Sequence, residues 1–227
     1  MNVRATSSGS RGFSASAWLY ITAAVLLLVV EAIVASRFPG YSYVTNYVSD
    51  LGVPEIGTFE GRPIDSPLAW VMNAGFVVHG LLALAAAAAL VRAVGGGTLR
   101  WVLLAFAVFY AIGFTLIAVV HGSEQSEAEG IVALHFLGGG LLALAGSGMA
   151  VAAGIGSRRL GMPVAARAIS IALGVASVTL IALLAVDKAD PTISVLGEGA
   201  LERGALYSIL LWQVLAGATL LRQRPSV

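Results

Sequence analysis

The sequence predicts an all-α fold, a bundle of six transmembrane helices with both termini cytoplasmic and a long, partly structured first extracytoplasmic loop. Three observations carry that expectation. Of 227 residues, 58% are hydrophobic and only 11% charged, with a mean hydropathy of +0.90, where soluble domains carry roughly 25% charged residues. Six apolar runs approach the roughly 20 residues a helix needs to cross about 30 Å of hydrocarbon. The basic residues also segregate: Arg4, Arg11, Arg92, Arg100, Arg158, Arg159, Arg167, Arg222 and Arg224 fall on one side of a six-span topology. The acidic residues fall on or near the other side. Because Lys and Arg mark cytoplasmic loops, this places both termini inside, in a cell membrane.

Taken in order, the Ser-rich start "MNVRATSSGS" reads as part of a disordered cytoplasmic tail over residues 1–14. The membrane domain follows over 15–222. Its first span, 18–36, is too long for the apolar region of a cleaved signal, about 7–15 residues, and is expected to be a retained helix. The loop after it is punctuated by Pro39, Pro54, Pro63 and Pro67. A loop of that length is usually functional or disordered. Further spans are expected over 68–91, 101–120, 131–155, 164–186 and 204–221, with a short tail at 223–227. The inner connections "VGGGTLR" and "GIGSRRLGMP" are short, which makes sequential helices antiparallel neighbours. Runs of Gly and Ala within the spans, such as "FLGGGLLALAGSG", allow close helix packing.

Within the long loop, "YSYVTNYVSDLG" interrupts an otherwise oily chain. On a 3.6-residue period, Tyr43, Asn46, Tyr47 and Asp50 share one face, while Val44, Val48 and Leu51 share another. This predicts a short helix over 43–51, ended by Gly52, lying on the membrane surface with its polar stripe at the bundle mouth. An aromatic belt alone would explain the tyrosines, but not Asn46 and Asp50.

All three histidines map to the outer half or middle of the bundle. His121 closes the third span, His135 lies a turn or so into the fourth, and His79 lies deeper in the second. Glu31 stands in the last turns of the first span and Asn73 early in the second. Glu202 and Arg203 open the sixth, with Gln213 three turns below Glu202. Ionisable groups in a bilayer persist when they face the bundle interior and find partners. A polar funnel open to the outside follows, with Asp50, Glu31 and Ser49 as candidate catalytic groups. Tyr43, Asn46, Tyr47, Asn73, Glu202, Arg203 and Gln213 are its candidate substrate-binding residues. Arg203 is expected to pair with Asp50 or Glu31, or to clamp an anionic head group.

Three readings of the funnel stay open. His79, His121 and His135 with a carboxylate suit zinc, which activates water for attack on a lipid-borne ester, amide or phosphate. This makes the protein a metal-assisted hydrolase or transferase acting on a lipid or amphiphile. A His79–His135 pair suits haem between facing helices, hence electron transfer. A non-catalytic carrier or accessory subunit would use the same groups for hydrogen bonding and proton linkage. Beside these stands a polar cluster that only orients helices. With no cysteine in the chain, disulfides, thiolate metal sites and cysteine nucleophiles are excluded. A net charge of +1 and dispersed arginines argue against a nucleic-acid partner. Membrane lipids are the expected surroundings.

"YSYVTNYVSDLG", "HGSEQSEAEGIVALH" and "ERGALYSILLW", in that order, resemble the bacterial and archaeal multi-pass proteins grouped as domain of unknown function 998. The resemblance runs from about Trp18 to Leu221. It implies a polytopic membrane protein without a settled activity, and the matching residues are Asn46, Ser49, Asp50, His135, Glu202 and Arg203. A looser similarity runs to membrane hydrolases of the alkaline ceramidase type, which combine Ser, Asp and three His. Here Ser49, Asp50, His79, His121 and His135 supply those residue types, although helix count and motif order differ.

Overall fold

The structure, a computed structural model, describes residues 7–94, 97–156, 160, 162–190 and 196–222. Six long helices carry the fold: α1 (Ser7–Ala35), α2 (Ala69–Ala93), α3 (Thr98–Val119), α5 (Val132–Ile155), α6 (Val164–Ala189) and α7 (Glu198–Leu221). Each is long and apolar enough to cross a membrane. A five-residue helix, α4 (Glu124–Ala128), sits in the loop between α3 and α5, started by the Ser123 side chain accepting from the Ser126 amide. The expected spans agree with these helices to within a few residues, with two exceptions. The first helix begins at Ser7, inside the expected tail, whose residues 1–6 lie outside those described. The last begins at Glu198 rather than at 204. The apolar run starts only after Glu198, Glu202 and Arg203, but these side chains are bonded to the loop and to α1, so the helix extends through them. The expected tail at 223–227 lies outside the described residues.

The helices pack in a closed ring, α1–α2–α3–α5–α6–α7 and back to α1, with α7 also touching α5. Short connections force neighbours in sequence to be neighbours in space. Small residues set the spacing. A Cβ on Gly113 would stand 2.6 Å from the Leu142 amide nitrogen and 2.7 Å from the Gly138 carbonyl, so α3 and α5 approach as closely as glycine permits. Between α5 and α6, Gly154 and Gly174 lie against the Arg167 and Ser147 carbonyls in the same way. The apolar core runs through all six helices except α6, whose Leu173 packs only at its edge.

The long loop folds over one end of the ring. The helix expected over 43–51 is replaced by turns through 43–46 and a 3-10 turn, Ser49–Gly52. Side chains take the backbone groups that a helix would have paired internally. Asn46 Oδ1 accepts from the Ser42 amide at 3.1 Å, and Asp50 Oδ2 accepts from the Tyr47 amide at 2.9 Å. A hairpin follows that periodicity did not reveal: β1 (Gly57–Phe59) pairs antiparallel with β2 (Arg62–Ile64). Its two-residue turn, Glu60-Gly61, has φ of 48° and 76°, the doubly positive geometry that matches strand twist. Ser66 and Asn73 then pin the loop to α2, donating to the Leu51 and Gly52 carbonyls at 2.7 and 2.8 Å.

Candidate functional site

Two ionic clusters and one cavity lie where the loop meets the ring. The first cluster centres on Arg203, in the first turns of α7 and 5% exposed. Its Nε donates to Glu31 Oε1 at 2.9 Å, joining α7 to α1. Its Nη1 donates to the carbonyls of Tyr43 and Asn46 at 2.9 and 2.6 Å, and Nη2 donates to the Tyr41 hydroxyl. The other Glu31 oxygen accepts from the Tyr207 hydroxyl at 2.9 Å. The expected pairing of Arg203 is therefore with Glu31. The guanidinium's donors are taken up by Glu31, Tyr41 and the loop carbonyls. One side chain stitches two helices and the loop together. The loop can come so close because Gly199 leaves room: a Cβ there would fall 2.2 Å from the Asn46 carbonyl oxygen.

The second cluster centres on Asp50, which the hairpin supplies with Arg62. Nε and Nη2 of Arg62 donate to the two carboxylate oxygens at 3.0 and 3.3 Å, the forked geometry for which guanidinium is suited. Asp50 also accepts from the Tyr47 amide and the Asn46 side chain, so it stands as a fully bonded anchor. Although burial opposes the charge, Asp50 outweighs it and holds the Arg62 pKa above its ordinary value. The guanidinium lies 4.0 Å over the Tyr47 ring. Burial and the hydrogen bond to Glu198 push the Tyr47 phenol up, so it remains a donor to that carboxylate. On the other side of Arg62, Glu60 accepts from Lys188 near the end of α6, 2.7 Å to each oxygen. Partial burial pushes Glu60 up, but Lys188 and then Arg62 outweigh it and hold the carboxyl below its ordinary value. Glu202, between the clusters, accepts from the Val48 amide.

Beneath this roof lies a cavity of about 320 Å³, within the range of small-molecule sites. Tyr47, Ser49, Asp50, Arg62, Lys188, Glu202 and His135 edge its polar end; Phe76, Phe114, Leu142, Ile181, Leu206 and Ile209 form its apolar depth. Half-buried Gly139 and Gly140 of α5 and Ile181 and Leu184 of α6, with exposed Phe136 and Ala185, form its flank, so it opens sideways between these helices. A Cβ on either glycine meets nothing within 4 Å.

The histidines do not meet. His79, fully buried, contacts the Ala23 carbonyl at 2.9 Å through Nδ1 and the Tyr110 hydroxyl at 2.9 Å through Nε2. A carbonyl only accepts, so Nδ1 carries the proton and Tyr110 donates to Nε2 when the ring is neutral. Gln213 extends this chain, its Nε2 lying 3.5 Å from the Tyr110 oxygen. The result is a polar relay across α1, α2, α3 and α7, away from the cavity. His121 Nε2 accepts from Asn73 at 3.2 Å, and its Nδ1 faces Glu55 at 3.8 Å. His135 donates Nδ1 to the Val120 carbonyl at 2.7 Å. Among the described residues, no group of three or more His, Asp or Glu is placed to hold a metal ion. The donor set expected for zinc is thus dispersed, because each histidine serves a different helix contact. A His79–His135 haem pair does not fit either, since both His79 nitrogens are taken and only His135 borders the cavity.

Of the expected site residues, Ser49, Asp50, Tyr47, Glu202 and His135 come together at the cavity. Tyr43, Asn46, Glu31 and Arg203 build the first cluster or the loop beside it; Asn73 and His121 contact each other and the loop, and His79 and Gln213 join helices away from the cavity. The sequence reading missed Arg62, Lys188 and Tyr110. The first two were legible as basic residues on the acidic side of the topology, and Tyr110 as a hydroxyl in the middle of an apolar span.

No curated protein and no solved structure matches the chain. One family model does, over residues 21–219. With six apolar helices behind that match, the chain is a multi-pass membrane protein that belongs to the family described as proteins of unknown function (DUF998).

Proposed function

We propose that the protein binds a lipid or other amphiphile in the cavity between α3, α5, α6 and α7, as a non-catalytic carrier or accessory subunit, with the loop end facing outside the cell. The observation that carries this reading is the cavity's division into a charged, hydrogen-bonded roof and an apolar depth, with a side opening between α5 and α6. Membrane amphiphiles have that same division, and a side opening admits them without passage through water. The bias of basic residues, nine of 13 toward the other end, supports the orientation. The carrier reading is preferred to hydrolysis because Asp50 and Glu31, the candidate bases, are each bonded to an arginine, and the histidines are engaged in separate contacts.

The test is cavity filling. Gly140→Phe places a ring in open space without a backbone clash. In lipid nanodiscs it is expected to abolish retention of co-purified amphiphiles, detected by mass spectrometry of the extracted protein, while the melting temperature holds or rises. Unchanged retention in a folded Gly140→Phe protein refutes the reading.

A further inference from the structure

The floor of the cavity carries a polar group that the binding of an ordinary hydrocarbon tail leaves unused. Ser177 of α6 is 0% exposed, lines the cavity, and its Oγ has no hydrogen-bond partner. Ser16 of α1 is likewise buried without a partner but does not line the cavity, and three other helix serines behave differently. Ser147, Ser170 and Ser208 each donate to the carbonyl four residues earlier, at 2.7, 2.8 and 2.7 Å. That is the usual way a hydroxyl is satisfied within a helix, and leaving one unsatisfied in an apolar surrounding is costly. Ile181, Leu184, Ala185 and Lys188 continue the stripe of α6 that begins at Ser177 and lines the same cavity. At 1.5 Å per residue, Ser177 lies about 16 Å from the level of Lys188. The cavity is therefore polar at its roof, apolar along its length and polar again at one point on its floor.

We infer that the ligand is a bifunctional amphiphile, whose tail bears a hydroxyl or carbonyl group that hydrogen-bonds to Ser177 Oγ. This rests on the amphiphile-binding reading above and adds the class of ligand to it. The roof selects the head group and Ser177 selects the oxygen at the far end. A plain chain of equal length leaves both its last methylene and the serine hydroxyl unmatched. The roof itself offers acceptors and donors of both signs, Glu202 and His135 beside Arg62 and Lys188, so a neutral head is accommodated.

Equilibrium dialysis of radiolabelled 1-dodecanol and 1,12-dodecanediol against the full chain in nanodiscs, with empty nanodiscs as reference, tests this. The two probes share a head and a length on the order of the ~16 Å depth. The expected result is that the wild type prefers the diol after correction for partition into lipid. Ser177→Ala then removes that preference by about threefold to tenfold, the worth of one hydrogen bond, and leaves dodecanol binding unchanged. Ser170→Ala, which removes a hydroxyl already satisfied within α6, retains the preference. Equal binding of both probes by wild type and Ser177→Ala overturns the inference while the amphiphile reading stands. Binding of neither probe, in protein that is folded by circular dichroism, overturns both.

Discussion

Arg203→Met is the substitution with the largest expected effect on this structure. The methionine matches the arginine stem in bulk, so packing is preserved while the charge and its donors are lost. Glu31, 1% exposed, is left as a buried carboxylate with only Tyr207 to pair it, and the Tyr43 and Asn46 carbonyls lose their donor. Breaking a buried ion pair by removing one partner costs about 3–5 kcal/mol. For a chain of this size that corresponds to a fall in melting temperature on the order of 10 °C. Glu31→Leu in the Arg203→Met background removes the orphaned carboxylate and is expected to recover part of the loss. Recovery stays incomplete, because the loop carbonyls are still unpaired, at about 1–3 kcal/mol for each that water does not reach. Thermal unfolding in one detergent, followed by tryptophan fluorescence across the four members of the double-mutant cycle, measures the coupling. Additive effects of Glu31→Leu and Arg203→Met would refute the reasoning, as would a single variant melting within 2 °C of the parent.

The Lys188–Glu60 bridge has a defined pH window. Since the folded Glu60 carboxyl lies below its ordinary value, its contribution is fully present above the unfolded carboxylate value of about 4.3 and is lost as pH falls through the folded one. The melting difference between parent and Glu60→Gln is accordingly expected to be constant from pH 8 to about 5.5 and to shrink only below about 4.3; a difference that vanishes near neutrality contradicts it. For orientation, a reporter active only outside the cytoplasm is expected to be silent when fused after Val227 and active when inserted at Glu127 in α4, whereas the reverse pattern would invert the topology.

Much of the architecture was legible in the sequence because a bilayer imposes a one-dimensional rule. Hydrocarbon forbids unpaired backbone groups, so each long apolar run becomes a helix. The family, too, was readable from three short motifs. The polar cluster was legible as a set: Asp50, Glu202, Arg203, Glu31 and the histidines are costly in a membrane and were expected to find partners. Which partners they found was not. Arg203 meets Glu31 across 172 positions of chain, and no periodicity carries that distance. The 43–51 segment scored as a helix because its stripes suited one; the structure spends its backbone groups on Asp50, Asn46, Glu202 and Arg203, which competed for them more strongly than the helix itself. The histidines shared a membrane half in the sequence and separate helix contacts in space, because depth along a span leaves open which face of the ring a side chain occupies. The sequence by itself determined that the chain is six membrane helices with a long polar loop after the first. Only the tertiary structure decided that the loop's charges close on one another above a cavity, because that depends on the order of helices around the ring and on the glycines that let them approach.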